Sequence, residues 1–494
     1  MQTTQPLHFN LVAAAHSAML EHGFQPDFPE GTDAELSAIL NDKTPPAAVA
    51  NLDPDFRDLR SLLWSSIDND TSRDLDQIEW AERLPDGRIR VLVGVADVDA
   101  RVKKDSIIDT HARSETTSVY TGVKTFPMLP SELSEGATSL NENEERVALV
   151  IEFCVDQQGT ASDGKVYRAL VRNRAQLAYN SVGAWLEKRG PAPPKVAVNR
   201  ELAAQLQLQD EAAQHMVDCR FQHGALDLET IETQPVMEGS DPINLARLEK
   251  NRATSLIEEF MVAANGIVAR SFEDAKIASL RRIVRTPKRW DRIVELAAGL
   301  GTKLPADPDS KALNDFLLQQ KKKDPDHFSD LSLAVVKLMG PGEYVVVKPG
   351  EADPGHFGLA VRDYTHSTAP NRRFPDMVDQ RILKAWLAKK PQPYSADDLS
   401  AIAARCTQME DQARKVEREM QKRIAAVVLH SRIGQTFPAI VTGVNNYGTF
   451  VRILDPHVEG KLVHGATGLD VGDRLNVRLV NTDPARGFID FVTV

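Results

Sequence analysis

Only three of the 494 residues are cysteine, Cys154, Cys219 and Cys406, and none of them forms a C-x-x-C pair. That scarcity excludes a zinc ribbon and a disulfide framework. The thiol usage fits a reducing compartment, so a cytoplasmic location is expected. No apolar run reaches the roughly 18 residues a membrane-spanning helix needs, and no membrane association is expected. Residues 1–11 hold no Lys or Arg and no apolar stretch, which predicts no signal peptide. Internal repeats and low-complexity tracts are also missing. Basic residues are outnumbered, 59 Lys plus Arg against 70 Asp plus Glu, for a net charge of −11. This argues against a protein that coats nucleic acid by bulk charge, although a local basic channel is compatible with it. With 42% apolar and 26% charged residues the chain is an ordinary globular protein, neither disordered nor fibrous. At roughly 100–200 residues per domain, its length suggests three or four domains.

What is present changes character along the chain. Residues 7–22 are helix-like and end at Gly23, a good stop signal. Residues 33–42 predict a second short helix with Asp33 placed to cap it and Pro45-Pro46 beyond it. Together they suggest a small helical N-terminal unit, either a helix-turn-helix reader of nucleic acid or a packing appendage. Period-two patterning follows over residues 57–180, with strands expected at Arg88–Asp97 and Arg146–Val155, beside turns at Asp86-Gly87 and Gln158-Gly159. Helix-like periods dominate 198–300 and 311–339, and residues 409–430 predict a long helix, first charged and then apolar. Residues 434–494 carry short strand patterns between turn signals at Asn445-Asn446, Gly448, Asp455-Pro456, Gly472-Asp473 and Pro484, which suggests a small barrel.

The densest chemistry lies in one segment. Asp68, Asp70, Asp74 and Asp76 fall within nine residues. Like charges this close repel unless a cation or several donors compensate them, so a hard-metal site with oxygen ligands is the functional reading. Carboxylates suit Mg²⁺ or Mn²⁺ better than soft metals. A solvated acidic loop is the plainer alternative. A calcium loop of EF-hand type would count Asp68 as position 1, with Asp70, Ser72, Asp76 and Glu79 at 3, 5, 9 and 12. Arg73 stands where that loop needs glycine, and a Pro-Asp-Gly turn and a strand follow instead of a second helix, so this reading is rejected.

The same segment resembles the acidic signature of the ribonuclease II/ribonuclease R family of exoribonucleases, the RNB catalytic domain. Asp68, Asp74 and Asp76 fall on its first three acidic positions, and Gln77 occupies the fourth, where the family usually has Asp. Further resemblances follow in the family's order. They are Val93–Val98, Thr117–Tyr120, Pro127–Pro130, Leu133-Ser134, Ser139–Asn141, the Glu-rich Leu256–Asn265, His356–Leu359, the basic loop Tyr364–Asp376, and Arg414–Glu419. In the basic loop the family's Ser, Ile and Tyr are replaced by Ala369, Asn371 and Phe374, while the arginine position falls on Arg372. The last sixty residues resemble an S1-type OB fold, on Gly434–Val444, Tyr447–Val451, Glu459–His464, Val471–Asp473 and Val477-Arg478. Many relatives carry cold-shock barrels at the N-terminus; the residues before position 57 here are too few for two of them.

The resemblance implies an α+β multidomain chain. A helical N-terminal unit spans 1–56, an RNB catalytic α/β domain 57–430, and an S1-type OB-fold β-barrel 431–494. It implies a 3′→5′ exoribonuclease that takes single-stranded RNA, acts processively, uses Mg²⁺ or Mn²⁺ and releases nucleoside 5′-monophosphates in RNA degradation. Asp68, Asp74, Asp76 and Gln77 would hold metal, with Asp76 the residue most needed and Asp74 beside it. Arg372 would place a fixed cation at the scissile phosphate, where a guanidinium fork suits paired oxygens. Its alternative is a salt bridge with Asp376 or Asp363. Arg373 would touch RNA from the same loop. Tyr120 would stack on a terminal base and Glu417 would bond a ribose hydroxyl, with Glu259 nearby. Tyr447, Phe450 and His464 would form the exposed stacking face of the barrel, while other aromatics such as Phe437 could fill it. His111, His215 and His223 read as core or surface residues. A monomer is expected. The rival readings are a non-catalytic RNA-binding protein decayed at Gln77, and a calcium-stabilised RNA-binding protein.

Overall fold

The computed structural model describes residues 9–42, 44, 46, 56–229, 231–239, 241–325 and 327–494. Of the expected 1–56 unit, residues 1–8, 43, 45 and 47–55 lie outside them, as does Pro45 of the expected helix stop.

A six-stranded sheet forms the centre, from β1 (Arg57–Asp58), β2 (Trp64–Asp68), β3 (Gln77–Arg83), β4 (Ile89–Ala96), β7 (Glu145–Val155) and β8 (Ala161–Ala178). Its order is β1-β8-β2-β3-β4-β7. The long β8 runs antiparallel to β7 over its first part and parallel to β2 over its last, so the strand order returns on itself. β4 reads as a nearly continuous apolar run because both of its faces are covered. Helices Arg200–Gln222 and Arg252–Asp274 pack against the sheet. The Asn251 side chain caps the second of these through the Ala253 and Thr254 N–H groups. A Cβ on Gly183 would lie 2.3 Å from Asn251 Oδ1, so only glycine lets the preceding helix, Tyr179–Leu186, approach that cap.

Two hairpins project from this body, β5 (Val119–Tyr120) with β6 (Thr125–Phe126), and β9 (Glu232–Glu238) with β10 (Asp241–Leu248). The second interrupts the helix-like periods expected to dominate 198–300, where Arg200–Gln222 and Arg252–Asp274 are helices. Its strands are short, and they turn at Gly239, whose φ of +63° suits glycine. A further pair, β11 (Ser279–Ile283) and β12 (Glu343–Val347), flanks three helices, Trp290–Gly299, Ser310–Lys323 and Phe328–Met339, which share a core of Trp290, Phe316 and Phe328.

Helix Ala396–His430 starts at a Ser395–Asp398 capping box. At 1.5 Å per residue it is about 52 Å long, and it begins well before the expected 409. It leads into a closed barrel of β13 (Thr436–Asn445), β14 (Gly448–Leu454), β15 (His457–His464), β16 (Arg474–Asp483) and β17 (Phe488–Thr493). Phe437 and Phe491 fill the barrel. The N-terminal helix Leu11–Glu21 buries Ala15, Ala18 and Met19 against Val416 and Met420 of the long helix and against Val119 and Phe126 of the β5–β6 hairpin. The next helix, Thr32–Asn41, begins at Gly31 in the left-handed region without a side-chain cap. Asp33 therefore sits in its first turn, favourable to the helix dipole, and is not the cap. Among the described residues no helix is long and apolar enough to cross a membrane.

His111 is buried and packs against Phe28 in a tilted ring pair with centroids 4.7 Å apart, and burial pushes its pKa down to about 4. The unfolded chain takes up that proton near pH 6.5 and the folded chain only near pH 4. Protonation therefore favours unfolding across that window, and the contribution of neutral His111 is lost as pH falls. Replacing His111 with Gln should flatten the decline in stability between pH 6.5 and 4 by roughly 1–2 kcal/mol, measured by urea unfolding at several pH values.

Candidate active site and RNA groove

The acidic segment is a loop between β2 and β3, and its backbone is pinned before its carboxylates are placed. Ser139 Oγ donates to the Arg73 carbonyl and accepts from the Leu75 N–H. Leu75 is fully buried, and the Ala96 N–H donates to the Asp76 carbonyl at 2.9 Å. The loop therefore anchors on one apolar side chain set between Asp74 and Asp76.

Four elements meet at these carboxylates. Asp68 ends β2 and accepts from Ser72 Oγ and the Asn69 N–H, both at 2.8 Å. Asp76 is buried, and its Oδ1 accepts the Asn371 N–H at 2.8 Å. Its Oδ2 has no hydrogen-bond partner and lies 3.5 Å from Arg372 Nε. Asp74 Oδ2 accepts the Tyr120 hydroxyl at 3.0 Å, and the Tyr120 N–H points to Glu417 Oε1 at 3.4 Å. Asp70 stays exposed at the loop tip. Thus the acidic loop, the basic loop, the β5–β6 hairpin and the long helix converge, as the spacing of the motifs alone could not establish.

Electrostatics follow from burial. Burial raises the Asp68 pKa, and Asp74 adds to the rise. Asp76 is pushed up to about 8, chiefly by burial, against the opposing pull of Arg372 and the Asn371 N–H. Burial also raises Glu417. Carboxylates held this way call for a cation. Among the described residues no three His, Cys, Asp or Glu side chains converge closely enough to enclose one by themselves. Hard oxygen donors with an orphaned Asp76 Oδ2 fit Mg²⁺ or Mn²⁺ of the kind that takes few carboxylates and completes its shell with water and substrate phosphate.

The basic loop separates its two arginines. Arg372 is exposed beside Asp76. Arg373 instead turns inward and bonds buried Asp376 at 2.8 Å, so the salt bridge weighed for Arg372 belongs to its neighbour. The departures from the family pattern in this loop are all buried and bonded. The Ala369 N–H donates to Asp376, the Asn371 side chain accepts from Thr138, and the Phe374 N–H donates to the Thr116 carbonyl. The Arg372 carbonyl accepts the Ser118 N–H at 3.0 Å, which ties the loop to the Tyr120 hairpin. Glu259 does not join the carboxylates. It is buried and held by the guanidinium of Arg220.

Tyr179, at the end of β8, was missed in the sequence. Its hydroxyl is pushed up by burial and by the charges of Asp68 and Glu79. Glu79 itself is fully buried. A lone tyrosine at a strand-to-helix junction gives no local signal.

The barrel and the long helix enclose a groove of about 860 Å³, lined by Tyr447, Phe450, Phe488, Arg418, Lys422, Lys461 and Arg486. Tyr447 is 82% exposed and Phe488 55%. Phe488 was also missed, because an isolated Phe after a turn reads as core. His464 is exposed but stands outside this lining.

Residues 56–389 match the RNB domain family, and residues 435–494 match the RNase II-type exonuclease C-terminal S1 domain. The ribonuclease R of Vibrio parahaemolyticus is 30% identical over 91% of this chain and 54% of its own length. That of Thermotoga maritima is 30% identical over 95% of this chain and 68% of its length. The structure of Mycoplasma genitalium RNase R in complex with double-stranded RNA superposes with a TM-score of 0.86 at 25% identity, over 98% of this chain and 83% of that one. The chain thus spans about half of the Vibrio relative.

Replacing Arg372 with Lys keeps the charge but removes the planar fork. We expect turnover on RNA to fall about 100-fold with binding nearly retained, measured by single-turnover cleavage beside equilibrium binding.

Proposed function

This chain belongs to the RNB family of ribonuclease R type, and from that premise we propose that it hydrolyses single-stranded RNA from the 3′ end, one nucleotide at a time. The observation that carries the reading is the convergence on Asp76 and Asp74 of donors from distant segments, the Asn371 N–H and Arg372 on one, the Tyr120 hydroxyl on the other.

The RNA strand enters over the barrel groove, where Tyr447, Phe450 and Phe488 offer ring faces to bases and Arg418, Lys422 and Lys461 attract the backbone. Its 3′ end comes to rest against Tyr120. Glu417 accepts a hydrogen bond from a ribose 2′-hydroxyl there, which a DNA end cannot supply. Arg372 holds oxygens of the scissile phosphate and stabilises the charge that develops on them. Asp68, Asp74 and Asp76, with Gln77 as a neutral oxygen donor, are the residues that would hold divalent metal. A bound Mg²⁺ or Mn²⁺ would neutralise charge at the phosphate and lower the pKa of a water, so that the hydroxide it leaves on losing a proton can attack. Asp76, held by the Asn371 N–H, keeps its orientation through each cycle. Arg373 and Glu259 act structurally, through Asp376 and Arg220. A groove lined by several rings favours retention of the strand between cuts, hence processive action. Cytoplasmic RNA degradation and a monomeric state complete the proposal.

A 5′-labelled single-stranded RNA followed over time with Mg²⁺, beside Asp76→Asn and an EDTA arm, tests it. We expect loss of full-length RNA to short 5′ ends in the first arm alone. RNA that stays intact but tightly bound would support a non-catalytic RNA-binding protein instead. For specificity, Glu417→Ala should reduce the preference for RNA over DNA of the same sequence about tenfold, read as a ratio of Kd values. An unchanged ratio would remove Glu417 from the ribose contact.

A further inference from the structure

The groove between the barrel and the long helix holds carboxylates as well as rings and cations. Glu459 and Asp490 line it beside Phe450, Phe488 and Lys461. A surface that only follows an RNA backbone has no use for them, because a carboxylate repels phosphate. The barrel's register sets where they stand. Alternation along β14, β15 and β17 sends Val451, Val458, Leu462, Ile489 and Phe491 into the barrel core and the residues between them to the outer face. On that face Phe450 pairs with Lys461, and Lys461 pairs with Asp490. One step back along the same face, Arg452 pairs with Glu459. Phe488 comes two residues before Asp490 on β17, which runs parallel to β15, so it stands beside Glu459.

The two acids differ in what they face. Asp490 lies opposite Lys461 and accepts from Asn481 Nδ2 at 3.1 Å, so an opposite-charge cross-strand pair accounts for it. Glu459 lies opposite Arg452, but both terminal nitrogens of that guanidinium are turned to Asp330, at 2.7 and 2.9 Å. Among the described residues the Glu459 carboxylate has one partner, the Thr442 hydroxyl on Oε2 at 2.9 Å, and no ion pair. Glu459 is therefore an exposed carboxylate with no cation of its own, held by Thr442 and set beside an exposed ring.

A ring to stack on and a hydrogen-bonding group at its side are what a protein uses to read an unpaired base. An ionised carboxylate only accepts, so it sorts bases by the donors on their Watson–Crick edges. Guanine presents two adjacent donors there, N1–H and the N2 amine, which match the two oxygens of a carboxylate. Adenine and cytosine present one amine beside a ring nitrogen whose lone pair repels the carboxylate. Uracil presents one N–H between two carbonyls. Each carboxylate oxygen has two lone pairs, so the Thr442 bond leaves both oxygens of Glu459 able to accept. We propose that Glu459 and Phe488 form a guanine-preferring subsite in the groove. This rests on the RNA path of the preceding subsection and adds base selectivity to it.

The test reads binding without chemistry. Short labelled single-stranded RNAs are titrated with the full chain in EDTA and followed by fluorescence anisotropy. One RNA is all uridine, one carries guanosine at every third position, and one carries inosine in place of each guanosine. Inosine keeps the fused ring and N1–H of guanine but lacks the N2 amine, so it separates edge reading from stacking. Spacing the guanosines along the strand lets one reach the subsite in any register. We expect wild type to bind the guanosine RNA about tenfold more tightly than the inosine RNA, and Glu459→Gln to bring the two within about twofold. A melting curve confirms that the variant folds. Equal affinities of wild type for the guanosine and inosine RNAs overturn the proposal. So does a Glu459→Gln variant that binds all three RNAs more tightly by one factor and keeps their ratios, which would make Glu459 a repulsive surface charge only. Repeating the series with Mg²⁺ separates the two readings. Guanosine preference in EDTA with no cleavage in Mg²⁺ keeps this subsite and sinks the nuclease. Cleavage in Mg²⁺ with no guanosine preference in EDTA does the reverse.

Discussion

The structure turns on carboxyl groups held where water is scarce. Asp76 and Glu79 are buried, Asp68 is partly so, and the guanidinium of Arg372 beside Asp76 is exposed. Such groups repel and lose hydration, and left to themselves they would open the loop. The fold resists this by fixing the backbone independently of the charges. Leu75 is locked in the core between Asp74 and Asp76, and Ser139 bonds the loop on both sides of Asp74. The chain is thus held in a conformation its carboxylates disfavour, a cost that a bound cation would relieve under the proposed function.

Holding the loop requires parts that are far apart in sequence. Asn371, Arg372, Tyr120 and Glu417 come from three segments, and each is braced in turn. The hairpin bearing Tyr120 has Val119 and Phe126 in one cluster with the N-terminal helix and with Val416 of the long helix. His22, just after that N-terminal helix, lies 3.2 Å from both Gln412 and Glu419 on either side of Glu417. The N-terminal helix therefore packs behind the residues expected to grip the RNA end. This is the geometry of a brace, and its apolar face is already spent on the interior.

What could be read from the sequence divides along the same line. The acidic loop was legible because its chemistry is local: four aspartates within nine residues signal themselves. The strands β4 and β7 and the barrel were legible through periodicity and turns. Long-range pairing was not. Nothing near Glu259 announces that Arg220 will claim it, and nothing distinguishes Arg373 from Arg372 except which one meets Asp376. Glu79 looked like an ordinary strand position because burial of its side chain depends on β2, the Tyr179 helix and the sheet's closure together. The β9–β10 hairpin was not singled out because its short strands lie between two long helices, whose period dominates that stretch.

The long helix joins the barrel groove to the acidic loop. Glu417 faces the Tyr120 hairpin, while Ala425, Ala426 and Leu429 belong to the barrel core. Eight residues separate Glu417 from Ala425, about 12 Å along the axis. Arg418 and Lys422 line the barrel groove from the span between them. A helix of this length with buried sides is stiff, so the distance from the stacking rings to the acidic loop is set by covalent geometry and not by a linker. Arg452 of the barrel adds a second tie, bonding Asp330 of the Phe328–Met339 helix at 2.7 and 2.9 Å. With both ties in place the groove and the carboxylates stay in fixed register. Under the proposed function, a strand bound in the groove would present its end to Asp76 at one spacing, and each removal of a nucleotide would require the strand to move while the protein stays still.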